Sequence, residues 1–110
     1  MIVLKVNIIQ IIDFSFYPGI CEAVLVDAQG KEHHFIEKIP IVTAEDLDLT
    51  TIFPVQGGIR GEIVEKLDNM LKVSIEKPDH VESVEGISEF WVDKNKIIFS
   101  EIKLESVGGK

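Results

Sequence analysis

The chain has little of what several classes of protein depend on. Its 110 residues include one cysteine, one tyrosine, one tryptophan and a single arginine, Arg60. The lone Cys21 cannot form a disulfide within the chain, which excludes the disulfide-stapled domains typical of secreted proteins. Because Cys21 lies in the apolar run 20–26, the sequence predicts a buried, inert thiol and a reducing, cytoplasmic compartment.

Long apolar runs are missing too. The most apolar stretch, residues 1–12, is interrupted by Lys5, Asn7 and Gln10 and is followed by Asp13. A membrane-spanning helix needs about 20 apolar residues, and a signal peptide carries its positive charge ahead of the apolar run. This stretch therefore predicts a β-strand and neither a membrane anchor nor a targeting segment.

Short runs of Ile, Val and Phe, bounded by turn residues, are abundant, and they predict strands. The stretches Asp27–Gly30 and Asp68–Asn69 have the chemistry of hairpin turns. One helical turn is predicted over residues 43–48, with Thr43 as its cap. The predicted strands are residues 2–12, 20–27, 31–37, 59–67, 70–76, 88–93 and 96–104.

This pattern predicts an all-β fold of about six or seven short antiparallel strands, with one or two short helical turns. Strands at this spacing close into a small barrel of SH3-like or OB-like type, or pack as a two-sheet sandwich. The length of the chain fits one domain. We predict that this domain covers residues 1–105 and that residues 106–110 form a disordered tail.

Positive charge is scarce, and the formal net charge is −8. Residues 39–59 carry three carboxylates and no lysine or arginine, whereas residues 76–93 carry six carboxylates and one lysine. These two acidic segments account for the whole net charge. Because such a field repels nucleic-acid phosphates and anionic membranes, neither is expected as a partner.

The acidic loops 43–50 and 76–89 form the main candidate site, because concentrated carboxylates steer a basic protein partner toward them. Aromatic side chains in the loop after the first strand are candidate anchors, since they supply large, rigid contact area. Two plainer interpretations stay open: the carboxylates keep a small domain soluble, and Phe14, Phe16 and Tyr17 cap one end of a barrel. The predicted partner-binding residues are Glu45, Asp46, Asp48, Asp79, Glu82, Glu85, Phe16 and Tyr17.

A non-enzymatic, adaptor-like protein-binding module is the function that these features favour, and no cofactor or metal is predicted. One alternative is a small-ligand or metal-dependent enzyme that uses His80, Asp79 and either His33 or His34. Adjacent strand residues point to opposite faces, so the two neighbouring histidines cannot chelate one ion together. A second alternative is a homo-oligomeric structural protein. A homodimer is the simplest such form, because uncovered strand edges can pair with a second copy of the chain.

The richest glycine cluster, Gly57-Gly58-Ile-Arg-Gly61, lacks the spacing of a phosphate-binding loop and is followed by a strand. It predicts a bend at a barrel corner, and Arg60 is expected to pair with a nearby carboxylate. Phe90 and Trp91 alternate across a strand, so one ring is expected in the core and the other on the opposite face.

Two stretches carry a resemblance to known proteins: Phe35-Ile-Glu-Lys-Ile-Pro-Ile-Val-Thr-Ala-Glu-Asp-Leu-Asp48 and Lys77-Pro-Asp-His-Val-Glu-Ser-Val-Glu-Gly-Ile-Ser-Glu-Phe90. They resemble a family of small bacterial proteins of similar length, and the likeness covers nearly the whole chain. No function is attached to that family, so the resemblance implies no catalytic residues. In general character the chain is also similar to immunity proteins, which neutralise toxin enzymes, and this likeness of class implies a protein partner.

Overall fold

A computed structural model describes residues 1–99. Seven strands, one short helix and one 3-10 turn make up this part of the chain. The all-β class predicted from the short apolar runs is therefore confirmed. In chain order the elements are β1 (Ile2–Asp13), β2 (Ile20–Val26), β3 (Glu32–Lys38), α1 (Ile39–Val42), β4 (Val55–Leu67), β5 (Met70–Ser74), β6 (Glu89–Asp93), the 3-10 turn (Lys94–Lys96) and β7 (Ile97–Phe99).

The strands form one antiparallel sheet in the order β3-β2-β1-β4-β5-β6, with β7 added to β1. The first half of β1 pairs with β4 on one edge and with β7 on the other, and its second half pairs with β2. β4 is divided in the same way, since residues 55–61 pair with β1 and residues 62–67 pair with β5. These two long strands, shared between neighbours, curl the sheet into a half-barrel.

Backbone hydrogen bonds link the outer strands across the open side of the curl. The Ala28 N–H, in the β2–β3 turn, donates to the Trp91 carbonyl of β6 at 2.8 Å. The Val84 N–H, in the loop before β6, donates to the His34 carbonyl of β3 at 2.8 Å. These bonds use backbone groups that would otherwise stay open on the edge strands. The predicted small barrel is confirmed in this curled form.

The core follows from the alternation of β1. Ile2, Leu4, Val6 and Ile8 are all buried, as expected for every second residue of a strand. A bulge after Ile8 then shifts the alternation by one residue, so that Ile11 also packs against the core. The bulge explains why Ile11, which strict alternation would place on the face opposite Ile8, still packs against the core.

Aromatic rings fill the middle of the core. The rings of Phe35 and Phe90 meet edge to face with their centroids 5.8 Å apart, an arrangement that adds to the gain from burying apolar area. The next residue, Trp91, lies on the opposite face and is half-buried. The predicted division of Phe90 and Trp91 between the two faces is confirmed.

Glycine is needed where β4 passes α1 and β5. A Cβ atom on Gly57 would lie 2.7 Å from the carbonyl oxygen of Val42, and one on Gly61 would lie 2.5 Å from that of Ser74. Any side chain at these positions would push the neighbouring backbone away. The glycine cluster therefore allows close packing where β4 bends from one set of partners to the next, as predicted.

The helical turn predicted over residues 43–48 is wrong, because the helix lies earlier. Pro40 stands in the first turn of α1, and the Thr43 N–H ends it by donating to the Ile39 carbonyl at 3.0 Å. Proline suits a first helical turn, since the N–H that it lacks would have no partner there. Thr43 therefore closes a helix instead of starting one.

Other boundaries agree more closely with the expectation. Both hairpins are present, with φ angles of 85° at Gly30 and 54° at Asp68. β4 begins at Val55 rather than at residue 59. The predicted strand 96–104 is described as far as Phe99; its remainder and the predicted tail lie outside the described residues.

The helices of residues 1–99 are short. None of them has the length and apolar character that crossing a membrane requires.

Candidate functional site

A groove of about 680 Å³ opens beside α1, and we call it the aromatic groove. Three parts of the chain line it: the loop after β1, the start of α1, and the segment that follows α1. The lining residues are Phe14, Phe16, Tyr17, Pro18, Ile39, Pro40, Thr43, Ala44, Glu45, Asp46 and Leu47.

A backbone hydrogen bond joins the loop to the helix. The Ile39 N–H donates to the Gly19 carbonyl at 3.1 Å. Gly19 has a φ angle of 95°, and a Cβ atom there would lie 3.0 Å from the Ile39 side chain and 3.1 Å from the Phe14 ring. Only glycine combines this backbone conformation with so close an approach, so Gly19 is what lets the aromatic loop lie against α1.

Local turns order the two sides of the aromatic groove. Hydrogen bonds from the Ser15 hydroxyl and N–H lower the pKa of Asp13 and fold the start of the aromatic loop into an Asx turn. On the other side, the Thr43 hydroxyl oxygen accepts a hydrogen bond from the Glu45 N–H at 3.1 Å. Leu47 is buried and anchors the end of that segment. The groove is therefore organised by contacts within the protein.

Two rings of the aromatic loop project into solvent. Phe16 is 75% exposed and Tyr17 is 97% exposed, whereas Phe14 is 40% exposed. A ring that capped the barrel would be buried against the core. The capping interpretation is therefore wrong for Phe16 and Tyr17, and their predicted role as partner anchors stays a prediction.

Two of the six predicted steering carboxylates lie in the aromatic groove. Glu45 and Asp46 are exposed there, and within residues 1–99 neither forms an ion pair. Lysine, arginine and histidine are absent from the residues that line the groove. The charge of these two carboxylates is therefore uncompensated at the place where the exposed aromatic rings stand.

Asp48 and Asp79 are instead engaged by neighbouring groups. The Thr50 hydroxyl and N–H donate to Asp48 at 2.6 and 2.8 Å, and these bonds lower the pKa of Asp48. The Arg60 guanidinium donates to both oxygens of Asp79, at 2.7 and 3.1 Å. The expected pairing of Arg60 with a carboxylate is confirmed, and it takes Asp79 out of the set of free charges.

Glu82 and Glu85 also differ from each other. Glu85 lies 3.5 Å from the Lys31 Nζ atom, whereas Glu82 is exposed and has no ion-pair partner within residues 1–99. Neither lines the aromatic groove. The second acidic segment therefore contributes no residue to the groove that holds Glu45 and Asp46.

The second acidic segment does come close to the surface beside α1. Arg60, which Asp79 holds, lines a separate groove that shares Pro40, Thr43 and Ala44 with the aromatic groove. Both acidic segments therefore approach the surface beside α1, but within residues 1–99 only the first lines the aromatic groove.

Glu37, at the end of β3, lies against the second acidic segment. Burial raises the pKa of the Glu37 carboxyl, and the negative charges of Asp79 and Glu82 raise it further, against a smaller opposing effect of Lys38. A raised pKa means that the folded protein disfavours the ionised form. Burial is the main cause of this effect, and the charge of Asp79 adds to it.

The neighbouring histidines point to opposite faces of β3, as predicted. His33 is buried, and its Nε2 atom lies 2.8 Å from the Asp27 carboxylate. Burial alone would raise the pKa of Asp27, but hydrogen bonds from His33 and from two backbone N–H groups outweigh it and lower that pKa. On the outer face, the Nδ1 atom of His34 lies 2.7 Å from the Glu22 carboxylate. Each histidine is thus held by a carboxylate of its own.

The residues of the metal-dependent alternative do not form a cluster. His80 is exposed, and Asp79 is bound by Arg60. Across residues 1–99, no three His, Cys, Asp or Glu side chains are grouped so that they could hold a metal ion. The lone thiol is buried, and this burial raises the pKa of Cys21 to about 11, with a further contribution from Glu37. The predicted buried thiol is confirmed.

Sequence reasoning missed the residues that bring the aromatic loop and Glu45 together. From the sequence, Pro40 is expected only to end the hairpin of residues 20–37, although Ile39 and Pro40 begin the helix that the aromatic loop contacts. A proline that directly follows a strand, within a short apolar run, is a signal for a first helical turn. This signal predicts a helix that begins near Pro40, which is where α1 begins.

Comparison with known proteins adds no relative to this picture. The chain matches no protein-family model, no curated protein and no solved structure. The functional conclusion therefore depends on the geometry of its own residues.

Proposed function

We propose that this protein is a non-enzymatic protein-binding module whose aromatic groove docks a basic segment of a partner protein. An adaptor-like or immunity-like role fits such a module best. One observation carries the proposal: exposed Phe16 and Tyr17 share a groove with Glu45 and Asp46, whose charges are uncompensated there. Aromatic anchors combined with charge of one sign are what a docking surface for an oppositely charged partner requires.

The two kinds of side chain serve different steps. Carboxylates act over a distance set by the salt concentration and speed the encounter with a basic surface. Phe16 and Tyr17 act at contact, where burial of a large ring stabilises the complex and slows its dissociation. Asp79 and Glu85 add to the negative field, but their ion pairs leave them less able to make direct contacts with a partner.

A position-specific cross-link tests the location of the docking surface. A photoreactive phenylalanine analogue replaces Tyr17, and a matched control places it at Asn69, in the β4–β5 turn and outside the aromatic groove. Irradiation in the cells that produce the protein should yield a discrete adduct from position 17 and none from position 69. Equal labelling from the two positions would contradict the proposal.

Association kinetics with the cross-linked protein test the electrostatic part. Between about 0.01 M and about 0.15 M salt the Debye length falls from about 30 Å to about 8 Å, so the on-rate should fall roughly tenfold or more. Replacing both Glu45 and Asp46 by lysine should slow association strongly. The same two-residue change at Glu62 and Glu65, which are exposed and lie outside the aromatic groove and both acidic segments, should have a much smaller effect. A salt-independent on-rate would reject steering.

A further inference from the structure

We infer that the aromatic groove recognises an arginine side chain of the partner, with an apolar residue beside it. The inference rests on the proposed function and narrows the partner to one chemistry. It follows from the combination of rings and carboxylates in one groove. This combination suits the guanidinium group of arginine better than the ammonium group of lysine.

The lining of the groove defines what can enter it. Its apolar part comprises aromatic and aliphatic side chains, among them Phe14 and Ile39, and its charged groups are the carboxylates of Glu45 and Asp46. No lining residue carries positive charge, so a phosphate or carboxylate ligand would meet two like charges and no opposite one. A purely apolar ligand would leave both carboxylates without a partner. A cation on an apolar stem satisfies both parts.

Arginine meets these conditions more fully than lysine does. Its guanidinium is planar and weakly hydrated, stacks on aromatic faces and presents a fork of N–H donors to carboxylates. The rings of Phe16 and Tyr17 are exposed and therefore accessible for stacking, and cation–π contacts in proteins involve arginine more often than lysine. Lysine would gain the charge attraction but not the planar stacking.

The size of the groove leaves room for more than the cationic head. Its volume of about 680 Å³ lies within the range of ordinary ligand sites. The half-exposed Phe14 ring and the exposed Pro40 offer apolar surface beside the carboxylates. An apolar residue next to the arginine would cover that surface.

Short peptides test the inference on the full 110-residue chain, with binding followed through the backbone amide signals in NMR titrations. The probes are four capped tripeptides with leucine on both sides of arginine, lysine, citrulline or glutamate. Citrulline keeps the shape of arginine and lacks its charge. We expect the arginine peptide to shift signals of residues 14–19 and 39–47. It should also bind roughly tenfold more tightly than the citrulline peptide.

Variants separate the contribution of each part. The double variant Glu45→Gln/Asp46→Asn should remove the preference for arginine over citrulline, and Tyr17→Ala should remove the preference for arginine over lysine. The control variant Glu62→Gln/Glu65→Gln, with the same change in charge, should retain both preferences. Dispersed amide signals in each variant establish that the exposed substitutions leave the fold intact.

Three results would overturn the inference: equal affinity for the arginine and citrulline peptides, equal affinity for the arginine and lysine peptides, or shifts confined to residues outside the groove. Its failure differs from failure of the proposed function. A native partner that cross-links through position 17 while the arginine peptide shows no preference would refute arginine recognition alone. Absence of any cross-link from position 17 would refute docking at the groove.

Discussion

The two acidic segments carry charge of the same sign but stand in different relations to the fold. In residues 39–59, Glu45 and Asp46 face solvent within the aromatic groove and have no ion-pair partner in the described part of the chain. In residues 76–93, Asp79 holds the only arginine and Glu85 lies beside a lysine. Glu45 and Asp46 of the first segment are exposed to solvent without an ion pair in residues 1–99, whereas Asp79 and Glu85 of the second segment form ion pairs within the protein.

Backbone contacts show the same difference. In the second segment, Val81 is buried, and its N–H donates to the Ile75 carbonyl at 3.2 Å. The buried Ser83 hydroxyl accepts hydrogen bonds from the N–H groups of Glu85 and Ile87, at 3.2 and 3.1 Å. This segment is therefore part of the barrel wall. In the first segment, α1 and the start of β4 are also built into the fold, but the carboxylates lie in the connection between them, where Leu47 is the buried residue.

The comparison teaches that a run of acidic residues does not by itself mark a docking surface. Net charge along the sequence gives the second segment the larger value, and yet the first segment holds the free carboxylates that stand beside exposed rings. What decides is whether an unpaired carboxylate lies in a groove with exposed rings, as Glu45 and Asp46 do and as Glu82 does not. Spacing in sequence reveals neither the pairing nor the neighbours, because Arg60 and Asp79 meet only in three dimensions.

The largest expected effect tests whether the second segment is anchored in the core. Val81→Ala removes two methyl groups from a fully buried site and should lower the free energy of unfolding by about 2 to 3 kcal/mol. Val84, three residues on, is 62% exposed, and Val84→Ala should change it by less than about 0.5 kcal/mol. Chemical denaturation of both variants measures the difference. Similar effects at the two positions would show that this segment is not built into the core.

A smaller effect is expected where the first segment is attached to the barrel. An alanine at Gly57 would place its Cβ atom 2.7 Å from the Val42 carbonyl oxygen, so α1 must shift. Gly57→Ala should cost about 1 to 2 kcal/mol, with Gln56→Ala, at the exposed neighbouring position, as the control. Hydrogen exchange should quicken in residues 39–47 more than in residues 76–88. Equally faster hydrogen exchange in residues 39–47 and 76–88 would show that the two segments do not differ in how they are attached to the barrel.

Most of the fold could be predicted from the sequence because its strands and turns are local features. Runs of Ile and Val with turn residues at Asp27–Gly30 and Asp68–Asn69 specify hairpins without reference to distant residues. The helix was misplaced because a capping pattern at Thr43 outweighed the proline at position 40. The bulge after Ile8 left no distinct signal, since it appears in sequence only as apolar residues on both faces.

The candidate site could be predicted only in part. Glu45, Asp46, Phe16 and Tyr17 were identified individually, from charge and from aromatic character in a loop. Their meeting in one groove could not be, because it depends on the hydrogen bond between Ile39 and Gly19 across two elements. Burial and pairing likewise required the three-dimensional structure to separate free carboxylates from engaged ones.

The smallest expected effect concerns the charge of the second segment and appears as a dependence on pH. Burial, together with Asp79 and Glu82, raises the pKa of Glu37 in the folded protein. For a carboxyl whose pKa is raised on folding, ionisation weakens the fold, and the penalty appears as the pH rises through the folded pKa. Glu37→Gln removes that ionisation and should therefore increase the free energy of unfolding near neutral pH.

The gain in Glu37→Gln should vanish in acid, because below the pKa of the unfolded chain both forms of the wild-type protein carry a protonated Glu37. Denaturation at about pH 4 and about pH 7 measures the difference. Glu45→Gln provides the matched control: its carboxylate is exposed and unpaired within residues 1–99, so its removal should leave stability unchanged at both pH values. A loss of stability in Glu37→Gln at neutral pH would mean that this carboxylate is satisfied in the fold. In that case the ionised Glu37 in β3 would not destabilise the fold. The contrast between the two segments would then rest on ion pairing alone.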